Sequence, residues 1–596
     1  MSGIGGLVGY TSNTTDLATI CEKMQASLKK RGPDENGTYM SEDVCLLHTS
    51  TNNPYTGRGP LRAILGQRVY VLVFDGELYN KDELLKELKS IGYRFPDNSD
   101  AATVLYGFMA WGESCLDRFF GMYSFAIWDS QRLFMARDRL GLKPFYYSVS
   151  HQGFAFASDI KTLLCHPGVK PIVNSEGIAE LLLLGPGHTP GTTAFRDIKE
   201  LKPGAWASYS KDKGFETGQY WQLKAKPHTH SFEETTEKVA ALLKDSVSRQ
   251  TSKTFGTFLS GGLDSSALAS LSRCKETFSV DYIGNDKHFN PTDFQPDDDN
   301  TYIKEMVSYL NARHNRIVLG SDELADALTP SLHARGLPGM GDVDSALLLF
   351  CKKVREHVPI ALTGEGADEI FGGYPWYQQE ERLNADTFPW SQSADYRGRF
   401  IAPHILSRLN PEEYIRTRYQ NSIANADTLY DDAPKEKRLR QMFYLNIYWF
   451  LQNLATRNES MSAAAGLTVR SPFLDYRLVE YLYNVPWDYK NHNNREKGLL
   501  RQALQSHLPE SILWRKKSPF PKTHNPAYMN RVSDMIKVVD KDAPIFSIVS
   551  KDAIMQLLNE ETIQPWYGQL MTTPQTIAYF LQINAWLTDF NVIIST

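Results

Sequence analysis

At 596 residues the chain is longer than one ordinary domain, so two or more cores are expected. Its 42% hydrophobic, 22% charged and 12% aromatic residues are a globular composition, and a net charge of −5 gives no sign of a nucleic-acid groove or a polybasic membrane patch. Six scattered cysteines without a Cys-x-x-Cys pair argue against a zinc site or a disulfide framework. They suit a reducing cytoplasm. The first ten residues lack the basic flank and apolar core of a signal peptide. No run approaches the roughly 20 apolar residues of a membrane helix.

Strand-like segments dominate the first two hundred residues. Residues 4–10 are short, apolar and glycine-rich. The run 69–74 is β-branched and aromatic and is expected to break at Asp75-Gly76. Residues 124–129 and 133–137 look like paired strands around a turn, and helices are expected over 81–91 and 101–111. This mixture predicts a layered α/β or α+β domain. A polar stretch from 216 to 230 reads as a linker. Ser231 with Glu234 then forms a capping box, and Val239, Leu242, Leu243 and Val247 follow at helical spacing.

Residues 254–258 predict a buried strand and 267–271 a helix. Between them lies Leu259-Ser260-Gly261-Gly262-Leu263-Asp264-Ser265-Ser266. A Ser-Gly-Gly-x-Asp-Ser loop between strand and helix can cradle phosphate: glycines admit the backbone, amides and hydroxyls bind oxygens, and the helix N-terminus favours negative charge. No lysine follows the glycines, so this is not the loop of kinases and GTPases. Asp264 suits a Mg²⁺ ligand bridging to phosphate better than a direct phosphate contact. Residues 276–281 predict the next strand. The run 360–374 combines an apolar strand, the turn Thr363-Gly364-Glu365-Gly366, the acids Asp368 and Glu369, and the pair Gly372-Gly373. That pattern suits a strand end opening on nucleotide and metal at the carboxyl edge of a parallel sheet. The acidic run Asp297-Asp298-Asp299 reads as a solvated loop, and Arg515 and Lys516 as solvated or paired surface residues.

Taken together, Arg31-Gly32-Pro33-Asp34, Asp75-Gly76-Glu77-Leu78-Tyr79-Asn80, Ser99-Asp100 and the stretch from Ala136 to Pro144 resemble the glutaminase domain of class II amidotransferases. With the central loop the chain resembles the asparagine synthetase family over nearly its whole length. The resemblance implies an N-terminal-nucleophile (Ntn) α+β four-layer sandwich over 2–215. The linker 216–230 and an α/β ATP-pyrophosphatase domain (adenine nucleotide alpha hydrolase-like) with helical additions over 231–596 would follow. It implies ATP and Mg²⁺ as cofactors, Asp264 and Asp368 as metal ligands, and Glu365 and Lys517 as catalytic residues. Leu259, Ser260, Gly261, Gly262, Asp264, Ser265, Val280, Thr363 and Gly364 would bind ATP. It also implies a homodimer. The expected reaction adenylates a carboxylate, aspartate or a relative, and passes the acyl group to ammonia.

Three departures fall in the glutaminase pocket. The family's nucleophilic cysteine, exposed on removal of Met1, is Ser2 here. Its glutamine-clamping arginine is Ser50, which Arg58 or Arg62 cannot be assumed to replace. Its oxyanion-binding asparagine is Asp75, and one lost donor of that kind costs about 10²–10³ in rate. Gly76, Glu77 and Asp100 match the family, the two acids at its contacts to the glutamine amine. A degenerate glutaminase site is expected. In the second half Thr468 stands where the family carries an acid. The lost glutaminase chemistry favours a second reading, a lasso-peptide-cyclase or β-lactam-synthetase-like ligase using an amine on a small-molecule or peptide substrate. A third reading, a non-enzymatic scaffold, is opposed by the intact Ser260-to-Ser265 loop and Gly364-to-Glu369 motif.

Overall fold

A computed structural model describes residues 1–10, 14–42, 44–51, 59–288, 299–391, 394–518, 521–560, 565–568 and 570–595. Arg58, Asp297 and Asp298 therefore lie outside the described residues. Two compact units form. The first comprises 1–177, 190–222 and 590–595; the second comprises 178–189 and 223–589.

The first unit contains two six-stranded antiparallel sheets. One runs Lys199–Glu200, Tyr146–Ser150, Gly153–Ala157, Ser2–Val8, Val44–Ser50, Glu35–Met40. The other runs Gly214–Gln219, Ala205–Ser210, Leu133–Arg137, Gly121–Trp128, Arg68–Leu78, Leu61–Leu65. Alternation along Arg68–Leu78 explains their stacking. Val71 and Val73 join Ile4, Leu46 and Phe156 in a core between the sheets. Leu72 and Phe74 face the opposite way, onto Val104, Leu105 and Phe108 of the helix Asp100–Trp111. On the outer side of the first sheet, Gly3 and Gly5 leave room for Leu28 of the helix Thr14–Leu28. With side chains of period two buried on both faces, such strands must read as apolar runs.

The strand 69–74 does not break at Asp75-Gly76. It continues to Leu78, with Asp75 opposite Ser124 and Gly76 opposite Tyr123. A Cβ on Gly76 would meet the Met122 carbonyl oxygen at 2.2 Å, so glycine here admits a neighbouring strand rather than a turn. The expected linker 216–230 also needs correction. Residues 216–219 complete the strand Gly214–Gln219, and 590–595 return to the first unit, where Ile593–Ser595 pairs with Ile172–Asn174. The remainder is strapped down. The Ala225 amide donates to Asp427 Oδ2 at 3.0 Å and the Lys226 amide to Asn484 Oδ1 at 2.6 Å.

The second unit is built on a five-stranded parallel sheet ordered Arg313–Leu319, Glu276–Tyr282, Gly256–Phe258, Ile360–Leu362, Thr468–Arg470. In chain order this is 3-2-1-4-5. Connections leave the first and fourth strands in opposite directions, and a crevice opens where they diverge, at their carboxyl ends. The helices Asp342–Arg355 and Leu451–Ala464 supply Leu347, Phe350, Cys351, Val354 and Met461 to a core shared with Phe278, Ala361 and Val469 of the sheet. The expected capping box forms at the start of the helix Phe232–Gln250. No helix among the described residues is long and apolar enough to cross a membrane.

Candidate functional site

The divergence point of the parallel sheet holds a cavity of ≈ 250 Å³. The expected residues Leu259, Ser260, Gly262, Asp264, Ser265, Val280, Thr363, Gly364, Glu365, Asp368 and Lys517 all line it. Gly261 does not. Its φ is +68° and a Cβ would approach Tyr302 Cβ to 2.7 Å, so glycine lets the loop lie on the helix Asp299–Leu310.

The phosphate-type loop is closed on itself. The Ser260 amide donates to Ser265 Oγ at 3.1 Å, the Gly262 amide to Ser260 Oγ at 3.4 Å, and Ser265 Oγ donates to the Gly262 carbonyl at 3.2 Å. Arg515 completes it. Only 6% exposed, it donates to the Ser260 carbonyl at 3.1 Å, pairs with Asp299 and lies 4.0 Å over the Tyr302 ring. Arg515 is therefore a buried strut rather than a surface residue, and Asp299 is its counter-charge rather than part of a solvated run. Residues more than two hundred positions apart meet here, which no local pattern announces.

Charges alternate across the floor of the cavity. Lys497 Nζ donates to Asp264 Oδ1 and Oδ2 at 2.8 and 2.6 Å and lies 2.7 Å from Asp368 Oδ1. Lys517 Nζ donates to Asp368 Oδ2 at 2.8 Å. Burial alone would raise the Asp368 carboxyl, but Lys497 and Lys517 hold it well below the ordinary range. Asp264 is pushed up by burial and by the charge of Asp368, against the pull of Lys497. Lys497, disfavoured by burial but paired with two carboxylates, is held above an ordinary lysine. Behind them Glu369 is pushed up to about 8 by burial and the charges of Asp368 and Glu365, and it accepts a 2.5 Å hydrogen bond from the Tyr374 hydroxyl.

Sequence reasoning missed Lys497. It follows the polar stretch Asn491 to Glu496, yet it is 2% exposed, with φ +55°. The Gly372-Gly373 pair makes room for it: Gly372 turns at φ +72°, and a Cβ on Gly373 would lie 2.0 Å from Asp368 Oδ1 and 2.9 Å from Lys497 Cε. Sequence reasoning also missed Arg457, whose Nη2 lies 3.4 and 3.3 Å from Glu365 Oε1 and Oε2.

The donor set fits a hard divalent cation. Two carboxylates, Asp264 and Asp368, face one cavity, and Asp368 Oδ1 is met there by the Lys497 ammonium at 2.7 Å, a cation where a metal ion would also be drawn. Among the described residues no group of three or more His, Cys, Asp or Glu side chains is placed to hold a metal ion; Mg²⁺ needs only one or two protein carboxylates where substrate phosphates and water complete its shell.

In the first unit, Ser2 stands opposite Ser50 in the ladder, and Ser2 Oγ is buried without a hydrogen bond. Asp75 is not an isolated negative charge. Arg31 Nη2 lies 3.4 Å from its Oδ2 and Lys143 Nζ 3.3 Å from its Oδ1. Burial would raise this carboxyl, but the two cations hold it below the ordinary carboxylate range. Arg31 also donates to the Ser2 carbonyl at 3.3 Å, and Lys143 is placed by a turn whose Leu140, Leu142 and Lys143 amides all donate to Asp138. Glu77 is buried on the same strand as Asp75, and Asp100 lies 3.9 Å from Lys81 Nζ. Arg62 is exposed on Leu61–Leu65.

Known proteins match both units. The asparagine synthase family model covers residues 238–588 and the glutamine amidotransferase domain model residues 1–221. The glutamine-hydrolyzing asparagine synthetase 3 of Bacillus subtilis (strain 168) is 40% identical over 612 residues, 99% of each chain. Asparagine synthetase 1 of the same organism is 26% identical, covering 92% of this chain and 91% of that one. Asparagine synthetase B of Escherichia coli (strain K12) is 24% identical, covering 87% and 82%. With a full-length relative at this identity and a family model over the catalytic half, the chain belongs to the asparagine synthase family and is an ATP-dependent carbon–nitrogen ligase.

Proposed function

We propose that this enzyme makes asparagine from aspartate, ammonia and ATP, releasing AMP and pyrophosphate. The observation that carries the reading is the alternating array Asp264–Lys497–Asp368–Lys517 beside a closed Ser-Gly-Gly-x-Asp-Ser loop in one cavity. ATP lies with its base towards Leu259 and Val280 and its phosphates over the loop. The aspartate side-chain carboxylate attacks the α-phosphorus, and the bond to pyrophosphate breaks. Lys497 and Lys517 counter the charge growing on that leaving group, and fixed donors of this kind act where charge develops. Asp264 and Asp368 would hold Mg²⁺, which neutralises phosphate charge when bound. In the second step ammonia attacks the acyl carbon and the bond to AMP breaks, while Glu365 accepts the nitrogen's proton.

The first unit is read as the N-terminal-nucleophile sandwich with a silent glutaminase site. Ser50 offers no cation to a glutamine carboxylate, and Asp75, tied to Arg31 and Lys143, has no amide to donate. A larger, amine-bearing carboxylate is the second reading, favoured by the apolar side chains Phe450, Leu454 and Leu570 in the cavity. Pyrophosphate and asparagine measured with MgATP and aspartate, plus ammonium, glutamine or neither, test these readings. Asparagine with ammonium alone is expected. Asparagine from glutamine overturns the silent site. No turnover with bound ATP transfers support to the larger substrate.

A further inference from the structure

One wall of the cavity is a single helix face. Phe450, Leu454, Arg457 and Asn458 all line it, at spacings of four, three and one. The π-helical turn Asn446–Phe450 runs directly into the helix Leu451–Ala464. The extra residue of such a turn rotates everything after it, and such turns concentrate at functional sites. Arg457 is the one charged residue of the four. It is 4% exposed, and its two contacts to Glu365, 3.3 and 3.4 Å, are longer than the roughly 2.7–2.9 Å of a tight charge-assisted bond. Carboxylates meet the two lysines nearby at shorter range, Lys497 and Lys517 at 2.6–2.8 Å.

The geometry points to Arg457 as the specificity residue that binds a second carboxylate of the substrate and, in doing so, releases Glu365. This rests on the assignment of the cavity to acyl transfer. A dicarboxylate replaces one carboxylate partner of Arg457 with another, so the buried guanidinium keeps a counter-charge. Glu365, no longer engaged, takes the proton leaving the attacking nitrogen as the carbon–nitrogen bond forms and AMP departs. A monocarboxylate leaves Glu365 held by Arg457. Met340, whose sulfur is 3.9 Å from Arg457 Nη1, lines the same cavity as Phe450 and Leu454, and together they give apolar surface for a short methylene body between the two carboxylates.

Calorimetric titration of the full chain, loaded with a non-hydrolysable ATP analogue, with aspartate, succinate and β-alanine tests this. β-Alanine is aspartate without the α-carboxylate. Both dicarboxylates are expected to bind about tenfold to a hundredfold tighter than β-alanine, as a charged hydrogen-bonded contact provides. R457M is expected to abolish the difference and R457K to keep part of it, since lysine retains charge without the fork. Equal binding of all three by the native protein, or native discrimination by R457M, overturns the proposal. Should R457M not fold, native discrimination by R457K overturns it. Arg457-dependent binding of dicarboxylates without turnover of aspartate upholds the clamp and sinks the aspartate assignment. Asparagine formed by R457M with native discrimination does the reverse.

Discussion

Lys497 Nζ donates to both oxygens of Asp264, at 2.8 and 2.6 Å. This fixes the relation between the loop after the first strand of the parallel sheet and the charged floor of the cavity. Lys497→Met would leave Asp264 and Asp368 without their shared cation. Pyrophosphate release is expected to fall by about 10²–10³ or more, the cost of removing one electrostatic donor from a site of this kind. Lys497→Arg should not rescue it, because a planar fork does not reproduce a point charge between two carboxylates. Pre-steady-state release of pyrophosphate reports this directly, and a loss below tenfold would remove Lys497 from the proposed mechanism.

Gly373→Ala tests the same array without changing a charge. The new Cβ would sit 2.0 Å from Asp368 Oδ1 and 2.9 Å from Lys497 Cε, so the carboxylate must turn away. Displacements of about 1 Å at a reacting centre can cost about 10² in rate. We expect a loss of that order in kcat with ATP still bound. An enzyme within a factor of three of native would show that the array tolerates movement.

The pairing of Asp75 with Arg31 and Lys143 makes a stability prediction. Asp75→Ala leaves two buried cations without their carboxylate, and breaking a buried pair in this way costs about 3–5 kcal/mol. The folded carboxyl is held below its unfolded value. Its contribution is therefore fully present above about pH 4, near the ordinary aspartate value, and is lost as pH falls through the folded value. Urea unfolding of native and variant chains at pH 7 and pH 3 measures this. The gap should be wide at pH 7 and narrower at pH 3, and a gap independent of pH would contradict the pairing.

What the sequence revealed follows from chemistry that is local in the chain. The strand–loop–helix of residues 256–271 and the turn after Ile360–Leu362 are legible because glycines, hydroxyls and acids must sit at fixed offsets to build them. Ser231 with Glu234 was legible for the same reason. Lys497, Arg457 and Arg515 were not. Each acts through a partner far away in sequence, and each looks locally like a solvated charge. Gly76 misled in the opposite direction. Asp-Gly is a turn signal, but here glycine was required by the close backbone of Met122 and Tyr123. The linker expectation erred because residues 216–219 of the polar stretch pair at an exposed sheet edge, where apolar patterning is not needed.

The silent glutaminase reading makes the last prediction, on Ser2→Cys. A thiol is a better nucleophile than a hydroxyl, so this variant would release glutamate if the nucleophile alone were at fault. Two other defects remain in the same pocket. Ser50 supplies no positive charge to a glutamine carboxylate, and Asp75, ionised and committed to Arg31 and Lys143, supplies no donor to a tetrahedral oxyanion. The second defect alone is worth about 10²–10³. Glutamate from glutamine is therefore expected to stay at background in Ser2→Cys, while ammonium-dependent asparagine formation continues. Adding Asp75→Asn and Ser50→Arg should raise glutamate release in steps. Robust release from Ser2→Cys alone would mean that Arg31 and Lys143 already provide the anion binding denied to the pocket above, and that only the nucleophile differs from a working site.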